Sequence, residues 1–288
     1  MQIISVSSHV AFGHVGNASL SFPLYRLGIG VVPVMTVLLS NHLGYERYGG
    51  QILPGEMVAK VLQGLIDLGV IANSDAFLSG FLGTPETAEA TADAVAAFKA
   101  ARPRAPFCLD PVLGDRGKGL YMPDSVIARM RERLLPQAQM MTPNLFELEI
   151  LSGRSVQTRA EAVAAARDLI ARGPGSILAT SADTEESQPG RAEVLLVTAG
   201  AAWLLSTEHL TFTVEPNGSG DLLAALWLFE SLMRRSAVEA AQRALARLHG
   251  LLRETARLDR RELAMLEAQD RFAAEPDLDW VEVRPLAL

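Results

Sequence analysis

The alternation of short, continuously apolar runs with longer amphipathic segments constrains the fold of this chain more than any other feature. Apolar runs that we expect to be strands occupy residues 3–7, 31–40, 75–80, 106–115, 139–144 and 176–181. Helical patterns separate them, at about 16–27, 54–68, 84–101, 123–135, 145–151 and 158–172. Strands that alternate with helices pair in parallel through right-handed crossovers, and continuous apolar runs indicate strands buried on both faces. The sequence therefore predicts an α/β fold around a parallel sheet.

The alternation of strands and helices does not continue into the last third of the chain. A polar stretch with Pro and Gly, residues 181–191, predicts a surface loop. Residues 192–214 predict two or three consecutive antiparallel strands with a turn at 199–201, and helices are expected at about 218–233, 237–256 and 259–273. The tail, residues 275–288, is expected to be an edge strand or an ordered extension. No repeat or Ser/Gly linker interrupts the chain, so we expect residues 1–288 to form a single domain.

The composition narrows the class of protein. Hydrophobic residues make up 49% and charged residues 20%, which is typical of a globular protein with ample material for a core. The formal net charge is -7, whereas nucleic-acid binding normally requires a basic surface, so no nucleic-acid partner is expected. The N-terminus lacks the features of a signal peptide, and no stretch reaches about 18 uninterrupted apolar residues. We therefore expect a cytoplasmic protein without a membrane segment.

Cysteine and histidine give little sign of a metal centre. Cys108 is the one cysteine, which excludes an internal disulfide and a zinc cluster built from thiolates. Its apolar neighbours indicate a small core residue rather than a nucleophile. His9, His14 and His42 are expected in loops that follow strands, but their spacing matches no zinc pattern. We expect these histidines to have structural or ring-packing roles.

Polar side chains cluster where each predicted parallel strand ends, which is where ligands bind in open parallel sheets. Asp110 and Asp115 flank "PVLG" after the fourth strand, and both could share a hydrated Mg²⁺ ion. Asp115 fits a turn or a helix cap equally well. Glu147 follows Asn144 by three residues, which is the spacing of a capping box. The alternative for Glu147 is a contact to magnesium through water.

The stretch "NGSGD" carries the most specific chemistry. Gly218 and Gly220 flank Ser219 and permit close approach of the backbone at the start of a helix. The unpaired amides there, together with the helix dipole, form a site for an anion. Asp221 lies in the first turn beside this site. It is either an acid that favours the helix dipole or a base that accepts a proton from an attacking alcohol.

Seven stretches together resemble the pyridoxal kinase family, a branch of the ribokinase-like superfamily. They are "SSHVAFGHVGN", "FPLYRLG", "TVLLSNHLGY", "SGFLG", "DPVLGD", "TPNLFELEILSG" and "NGSGDLLAAL", in family order from Ser7 to Leu226. The resemblance implies a three-layer α/β/α sandwich with a mostly parallel central sheet and an antiparallel edge. It also implies Mg²⁺- and ATP-dependent phosphorylation of the 5′-hydroxymethyl group of a B6 vitamer, and a homodimer. Whether K⁺ or another monovalent cation assists is left open.

The resemblance also assigns roles to matching residues. Asp221 is implied to be the catalytic base, and Gly218, Ser219 and Gly220 the anion hole. The substrate-binding positions are Ser8, Val15, Leu43, Gly44 and Phe81, where the aromatic ring stacks on the pyridine. The nucleotide–magnesium positions are Asp110, Asp115, Thr142 and Glu147, and a phosphate-contacting pair is Thr180 and Ser181. Residues near the adenine are Thr207, Glu208, His209 and Leu210.

The chain departs from the family pattern on one wall of the predicted substrate pocket. Leu43 replaces the threonine that commonly follows "SNH", and Leu38 and Leu39 replace an amide and an aromatic residue. The pocket loses polar groups there, which favours a changed vitamer preference or a lower affinity. Two other functions fit the sequence. A hydroxymethylpyrimidine kinase shares the anion hole but usually has cysteine at position 221, and a non-catalytic B6-binding protein would explain Leu43.

Overall fold

The computed structural model describes residues 1–287, and a ten-stranded sheet is its central element. The strands, in chain order and including those of a separate small hairpin, are β1 (Gln2–Phe12), β2 (Gly30–Asn41), β3 (Gly50–Ile52), β4 (Ala76–Ser79), β5 (Phe107–Leu109), β6 (Gly114–Asp115), β7 (Gly119–Leu120), β8 (Met140–Met141), β9 (Ser176–Ala179), β10 (Arg191–Thr198), β11 (Ala202–Glu208) and β12 (Glu282–Pro285).

The order across the sheet is β12-β11-β10-β9-β8-β5-β4-β1-β2-β3. The pairs from β9 through β8, β5, β4 and β1 to β2 are parallel. Antiparallel pairs flank them, β2 with β3 on one side and β9 to β12 on the other. This arrangement confirms the predicted mostly parallel sheet with an antiparallel edge. The predicted turn at 199–201 joins β10 to β11, and the tail forms the edge strand β12.

Helices cover both faces of the sheet. They are α1 (Asn17–Arg26), α2 (Gly55–Asp67), α3 (Val70–Asn73), α4 (Pro85–Ala101), α5 (Asp124–Arg129), α6 (Leu145–Ser152), α7 (Arg159–Ile170), α8 (Ser219–Leu232), α9 (Ala237–Arg257) and α10 (Gln269–Ala273). The stretch after α5 continues as a π-helical turn, Met130–Leu134, and a 3-10 turn, Leu135–Gln137. No helix within residues 1–287 is long and apolar enough to cross a membrane.

Successive side chains of a buried strand point to opposite faces, so the sheet separates two hydrophobic cores. Ile4 and Phe77 face the core beneath α2, α4, α6 and α7. Ile3 and Leu78 face the core beneath α1, α8 and α9. Cys108 lies in this second core, fully buried, as the sequence predicts. The result is the three-layer α/β/α sandwich that the resemblance implies.

The first strand is longer than predicted, and this corrects the placement of one histidine. β1 continues through the polar stretch after Ser7 as far as Phe12, so His9 lies within a strand rather than in a loop. The register with β2 shifts between Ser7 and His9. A bulge of this kind re-aims side chains, which explains how polar residues fit here. His14 and His42 do lie outside strands, as predicted.

Two further predictions are wrong in extent. The predicted strand at 106–115 ends at Leu109, because Pro111 and a left-handed Val112, with φ 41°, turn the chain into the β6–β7 hairpin. The predicted helix at 259–273 is present only as α10. Residues 259–268 are irregular because Asp259, with φ 46°, ends α9 and the consecutive side chains of Leu263, Ala264 and Met265 are all buried. The chain therefore runs from Asp259 to Ala268 without regular helical structure.

Candidate active site

The parallel strands β1, β4, β5, β8 and β9 carry their carboxyl ends to one edge of the sheet. Two antiparallel steps separate β11 from β9, so β11 also ends at this edge. Neighbouring strands are about 4.8 Å apart, so β11 lies roughly 10 Å across the sheet from β9. The end of β9, Ala179, is level with Leu204, and β11 continues beyond it to Glu208. The polar stretches of the sequence therefore share one edge, which is the usual ligand-binding side of such a sheet.

The glycine-rich turn before α8 is fixed by two contacts to the chain around α1. Gly218 is the residue before the helix and has φ 86°, a left-handed conformation. A Cβ atom on Gly218 would lie 1.7 Å from the carbonyl oxygen of His14, so only glycine fits. The hydroxyl of Ser19 donates a hydrogen bond of 2.7 Å to the carbonyl oxygen of Gly218. The turn is thereby held against the loop that follows β1.

The start of α8 has the properties of an anion site. Gly218, the residue before the helix, has no side chain and makes no cap hydrogen bond, whereas the amide of Asp221 bonds its own carboxylate. A Cβ atom on Gly220 would have no heavy atom within 4 Å, so the space above the helix is open. Unpaired amides at a helix start carry a partial positive charge. The arrangement suits a phosphate group.

Asp221 lies in the first turn of α8, close to the ends of β1 and β4. A Cβ atom on Gly80 would lie 3.8 Å from Oδ1 of Asp221. Burial raises the pKa of Asp221 to about 6, although backbone amides of Gly16 and of Asp221 itself partly offset this effect. A carboxylate with this pKa is a good proton acceptor near neutral pH. The helix start thus pairs an anion site with a base.

Asp110 and Glu147 add negative charge at the same edge. Asp110 is 7% exposed, and its Oδ1 accepts a hydrogen bond of 2.9 Å from the hydroxyl of Thr142. Burial, followed by the charges of Asp221 and Glu147, holds the pKa of Asp110 well above its ordinary value. The repulsion shows that these three carboxylates share one electrostatic environment. A bound cation would relieve it.

Glu147 has the structural role that its sequence position suggests, and its contact to magnesium stays a prediction. It completes a capping box with Asn144 at the start of α6, which confirms the structural prediction. Its Oε1 also accepts a hydrogen bond of 2.7 Å from the amide of Leu113. Burial raises the pKa of Glu147 to about 7, against the effect of these amides. The carboxylate is therefore fixed in orientation and brought close to the strained turn at Val112.

Asp115 is turned toward a local network. It accepts hydrogen bonds from Nδ2 of Asn144 at 3.2 Å and from the hydroxyl of Tyr121 at 2.5 Å, and forms an ion pair with Lys118. In the described part of the chain, no group of three or more His, Cys, Asp or Glu side chains could hold a metal ion by itself. The assignment of Asp110, Asp115 and Glu147 to magnesium stays a prediction, in which phosphate and water oxygens complete the coordination.

The predicted substrate positions come from three loops. Ser8 lies at the bulge of β1, and Val15 is half-buried in the turn before α1. Phe81 follows β4 and is half-buried, with its carbonyl oxygen 2.5 Å from the hydroxyl of Thr36. Leu43 and Gly44 lie in the loop after β2 and are exposed. A Cβ atom on Gly44 would lie 2.9 Å from Nδ2 of Asn217, so this loop reaches the turn before α8.

The predicted nucleotide positions follow β9 and β11. Thr180 donates its amide to the carbonyl oxygen of Pro143 at 2.9 Å, and Ser181 has φ 46°. A non-glycine residue in this conformation is uncommon, and such strain clusters at ligand sites. Thr207 is buried at the end of β11, whereas Glu208 and His209 are exposed and Leu210 is half-buried. The common edge of the sheet relates these two regions.

Comparison with known proteins agrees with this arrangement. A family model described as phosphomethylpyrimidine kinase matches residues 28–265. The pyridoxal kinase PdxY of Rubrobacter xylanophilus is 41% identical, over 96% of this chain and 95% of that protein. PdxY of Corynebacterium diphtheriae is 38% identical over the full length of both. The chain belongs to the pyridoxal kinase family. The predicted membership is thereby confirmed.

Solved structures of pyridoxal kinases share the fold. The enzyme of Leishmania donovani in complex with ADP and pyridoxine superposes with a TM-score of 0.88, at 29% identity, over 99% of both chains. The pyridoxal kinase of Entamoeba histolytica, at 24% identity, has a TM-score of 0.86 over 99% of both chains. These likenesses confirm the ribokinase-like fold.

The sequence did not predict any role for Glu262, which contacts two of the loops around the candidate site. Glu262 lies in the segment 259–268 that was predicted to be helical, yet its carboxylate contacts His14, His42 and Tyr45. These partners are more than 200 positions away along the chain. The charged run "DRREL" around Glu262 carries no signal of such contacts, because it is equally typical of an exposed helix.

Proposed function

We propose that this chain transfers the γ-phosphoryl group of ATP to the 5′-hydroxymethyl group of pyridoxal, which yields pyridoxal 5′-phosphate. The observation that carries the proposal is the half-buried carboxylate of Asp221, which lies in the first turn of α8 beside the anion site. A carboxylate whose only role were to favour the helix dipole would be repelled by a phosphate bound at the same helix start. The kinase reaction explains the carboxylate, since it needs a proton acceptor next to the transferring phosphate.

Asp221 accepts the proton of the substrate hydroxyl as its oxygen attacks the phosphorus atom. The amides at the start of α8, around Gly218, Ser219 and Gly220, orient the phosphate and stabilise the charge that spreads over its oxygens. Phosphoryl transfer depends mainly on such positioning and charge stabilisation. The fixed left-handed Gly218 and the open space at Gly220 support this role.

Asp110 and Glu147 would hold Mg²⁺, whose charge neutralises the phosphate oxygens when the ion is bound. Their fit rests on the donor set, because both are carboxylates, both are nearly buried and their charges interact. Thr142 keeps Asp110 oriented through the 2.9 Å hydrogen bond. Asp115 lies at the outer side of this group, where its carboxylate accepts a hydrogen bond from Asn144.

The substrate ring is proposed to lie between the bulge at Ser8, the turn at Val15 and the side chain of Phe81. The loop after β2 forms the opposite wall. Leu38 and Leu43 are 46% and 63% exposed, so two apolar side chains face solvent or ligand on that wall. We expect the substrate to make fewer polar contacts with this wall than it would make with a threonine at position 43.

The lid segment, residues 40–55, is proposed to close over the bound substrate and exclude water, which favours transfer to the alcohol over hydrolysis of ATP. It contains the short strand β3, which pairs with β2, and the tip between them is exposed. On the other side of the phosphates, Thr180 and Ser181 contact the nucleotide, and the segment 207–210 lies near the adenine. The end of β11 at the site edge supports this placement.

The protein is further proposed to be a cytoplasmic homodimer in which residues 1–288 form one domain. Met57, Val61 and Leu68 are 51%, 47% and 78% exposed. Their spacing places them on one side of α2 and its C-terminal end, with Gly64 between them. Exposed apolar side chains that form a stripe mark an interaction surface. Such a stripe supports the dimer that the family resemblance implies.

A panel of acceptors tests the proposed function. Pyridoxal, pyridoxine, pyridoxamine and hydroxymethylpyrimidine are each incubated with Mg-ATP, and both ADP release and the phosphorylated product are measured. We expect pyridoxal to be phosphorylated. Preference for hydroxymethylpyrimidine would support the pyrimidine kinase suggested by the family description. Tight pyridoxal binding without turnover would support a binding protein.

A further inference from the structure

Glu262 connects two loops that form opposite sides of the candidate pocket. Its Oε2 accepts a hydrogen bond of 3.1 Å from the backbone amide of His14. Its Oε1 accepts a hydrogen bond of 2.8 Å from the hydroxyl of Tyr45 and lies 2.8 Å from Nε2 of His42. His14 precedes Val15 of the β1–α1 loop, and His42 and Tyr45 lie in the lid segment. One carboxylate therefore ties both walls together.

The segment that carries Glu262 is anchored firmly. Leu263, Ala264 and Met265 are each 2% exposed, and the amide of Ala264 donates to the hydroxyl of Thr255 at 3.1 Å. Burial of this kind fixes the backbone directly after Glu262. The side chain of Glu262 is consequently attached to the protein core, while its partners belong to loops.

Glu262 accepts hydrogen bonds as an ionised carboxylate. Partial burial raises its pKa, but the hydrogen bonds from Tyr45 and His42 outweigh this effect and hold the pKa of Glu262 below its ordinary value. Nδ1 of His42 accepts a hydrogen bond of 3.1 Å from the amide of Gly44, so the ring proton lies on Nε2 and points at Glu262. All three groups donate, and both carboxylate oxygens are required.

Arg261 strengthens the same connection. Its guanidinium carbon lies 3.8 Å from the ring centroid of Tyr45, which is a cation–π contact, and it donates to the carbonyl oxygen of Gly44. The rings of His42 and Tyr45 are 4.8 Å apart. The base of the lid is therefore packed against two adjacent residues of the 259–268 segment, Arg261 and Glu262. The proposed reaction does not otherwise use the side chains of Arg261, His42 or Tyr45.

We propose that Glu262 is a positioning residue, which holds the base of the lid segment against the β1–α1 loop and so shapes the acceptor side of the pocket. The inference rests on the proposed function for its kinetic consequence. Glu262 does not need to touch the substrate. It acts through His42 and Tyr45 on Leu43 and Gly44, and through His14 on Val15. Within residues 1–287, the hydrogen bonds of Glu262 go to His14, His42 and Tyr45, all on the acceptor side.

Glu262→Gln is the test variant, because glutamine has nearly the same shape but only one acceptor oxygen. Its amide group would face one of the three donors, and a hydrogen bond to a charged group would be lost. We expect the KM for pyridoxal to rise by about tenfold or more, with the KM for ATP within about twofold of wild type. Glu267→Gln is the matched control, since Glu267 lies in the same segment and pairs with Arg260 instead.

Tyr45→Phe separates positioning from a general loss of structure. It removes one donor but keeps the ring that packs on His42 and Arg261. We expect it to raise the KM for pyridoxal in the wild type and to add little in the Glu262→Gln background, because contacting residues are not additive. Equal rises in the KM for pyridoxal and ATP, or full additivity of the two substitutions, would overturn the proposal.

Trypsin cleavage after Arg47, in the exposed part of the lid segment, reports on the same connection without any turnover. We expect Glu262→Gln to be cut there faster than wild type and Glu267→Gln to be cut at the wild-type rate, with fragments identified by mass. If wild type fails to phosphorylate pyridoxal, the proposed function is wrong, and the cleavage rate still decides the role of Glu262. Equal cleavage rates at Arg47 would contradict it.

Discussion

At the scale of single residues, the site depends on a few side chains whose surroundings change their ordinary chemistry. Asp221 and Glu147 are carboxyls that burial makes harder to ionise, with pKa values raised to about 6 and about 7. Val112 and Ser181 adopt left-handed conformations that β-branched and other side chains rarely take. Both lie just after strand ends. Strain and shifted pKa values therefore occur together at the edge where ligands are expected.

The raised pKa of Asp221 predicts a pH profile. A base acts only when it is ionised, so kcat/KM for pyridoxal should rise with pH and reach half of its plateau near the free-enzyme pKa of about 6. Below that pH the rate should fall about tenfold per unit. Initial rates between pH 5 and 8, with thermal unfolding at each pH as the control, check this. A flat profile across that range would argue against Asp221 as the base.

The sequence predicted which residues form the site better than it predicted their backbone conformations and hydrogen-bond partners. The spacing of Asn144 and Glu147 indicated a capping box, which the structure confirms. The position of Asp221 in the first turn of a helix followed from "NGSGD". Neither the strain at Val112 nor the three donors around Glu262 could be predicted, because both arise from contacts between parts of the chain that are distant in sequence.

At the scale of elements, α8 connects the chemistry to the core. Its residues from Leu222 to Glu230 are all buried, and it packs against α1 and α9. The helix therefore cannot shift without disturbing the core beneath it. The amides and carboxylate at its start are held in place by this packing, as a preorganised site requires.

Two glycines at the start of α8 should respond differently to alanine. Gly218→Ala places a Cβ atom 1.7 Å from the carbonyl oxygen of His14 in a left-handed conformation, so we expect a loss of at least about 1–3 kcal/mol in the free energy of unfolding. Gly220→Ala meets open space and should keep that stability, while its methyl group raises the KM for ATP. Urea denaturation and initial rates measure both. Equal stability of the two variants would refute the structural distinction.

The junction between α8 and α9 contains a buried ionic network. Glu230 is fully buried, and it lies 2.6 Å from Arg235, 3.1 Å from Arg243 and 2.7 Å from Arg247. Glu230→Gln leaves buried guanidinium groups without their counter-charge, so we expect a loss of about 3–5 kcal/mol in the free energy of unfolding.

Chemical denaturation tests this expectation, with Glu239→Gln as the control. Glu239 pairs with Arg235 at 3.6 Å but is about half exposed, so its replacement should cost no more than about 1 kcal/mol. A similar midpoint for both variants would show that burial of Glu230 does not make its ion pairs important.

Element prediction succeeded where the hydrophobic period was clear. Helices α1, α2, α4 and α7 begin and end within a few residues of the expected positions. It failed for residues 259–268, whose composition favours a helix. The buried side chains of Leu263, Ala264 and Met265 gain more from docking onto the core than from a regular helix, so tertiary contacts override the local preference.

At the scale of the whole molecule, the sheet order determines what can meet. The parallel strands from β9 to β2 direct their polar ends to one edge, and the alternation of strands and helices in the sequence predicted this. The exact neighbours could not be predicted, because β1 lies between β2 and β4 while β3 and β12 occupy opposite ends. Which strands become neighbours depends on how the helices pack on both faces of the sheet.

The apolar stripe on α2 predicts how two copies associate. Val61→Lys places a charge among Met57, Gly64 and Leu68, so we expect the dimer to dissociate at micromolar protein concentration. Leu266→Lys is the control, because Leu266 is 66% exposed and lies away from α2, in the irregular segment 259–268. Light scattering after size-exclusion chromatography measures the molar mass. A Val61→Lys protein that stays dimeric, or a wild type that is monomeric, would rule out this surface as the interface.

Asp221 determines whether the site can take the hydroxyl proton, and the substitution Asp221→Asn removes that ability. Asparagine keeps the size of the side chain but cannot accept the hydroxyl proton. We expect kcat with Mg-ATP and pyridoxal to fall by about 10²–10⁴-fold, the range typical of a lost general base. Calorimetric titration with ADP should give a Kd within about twofold of wild type. Near-normal turnover by Asp221→Asn would show that Asp221 is not the base that accepts the hydroxyl proton.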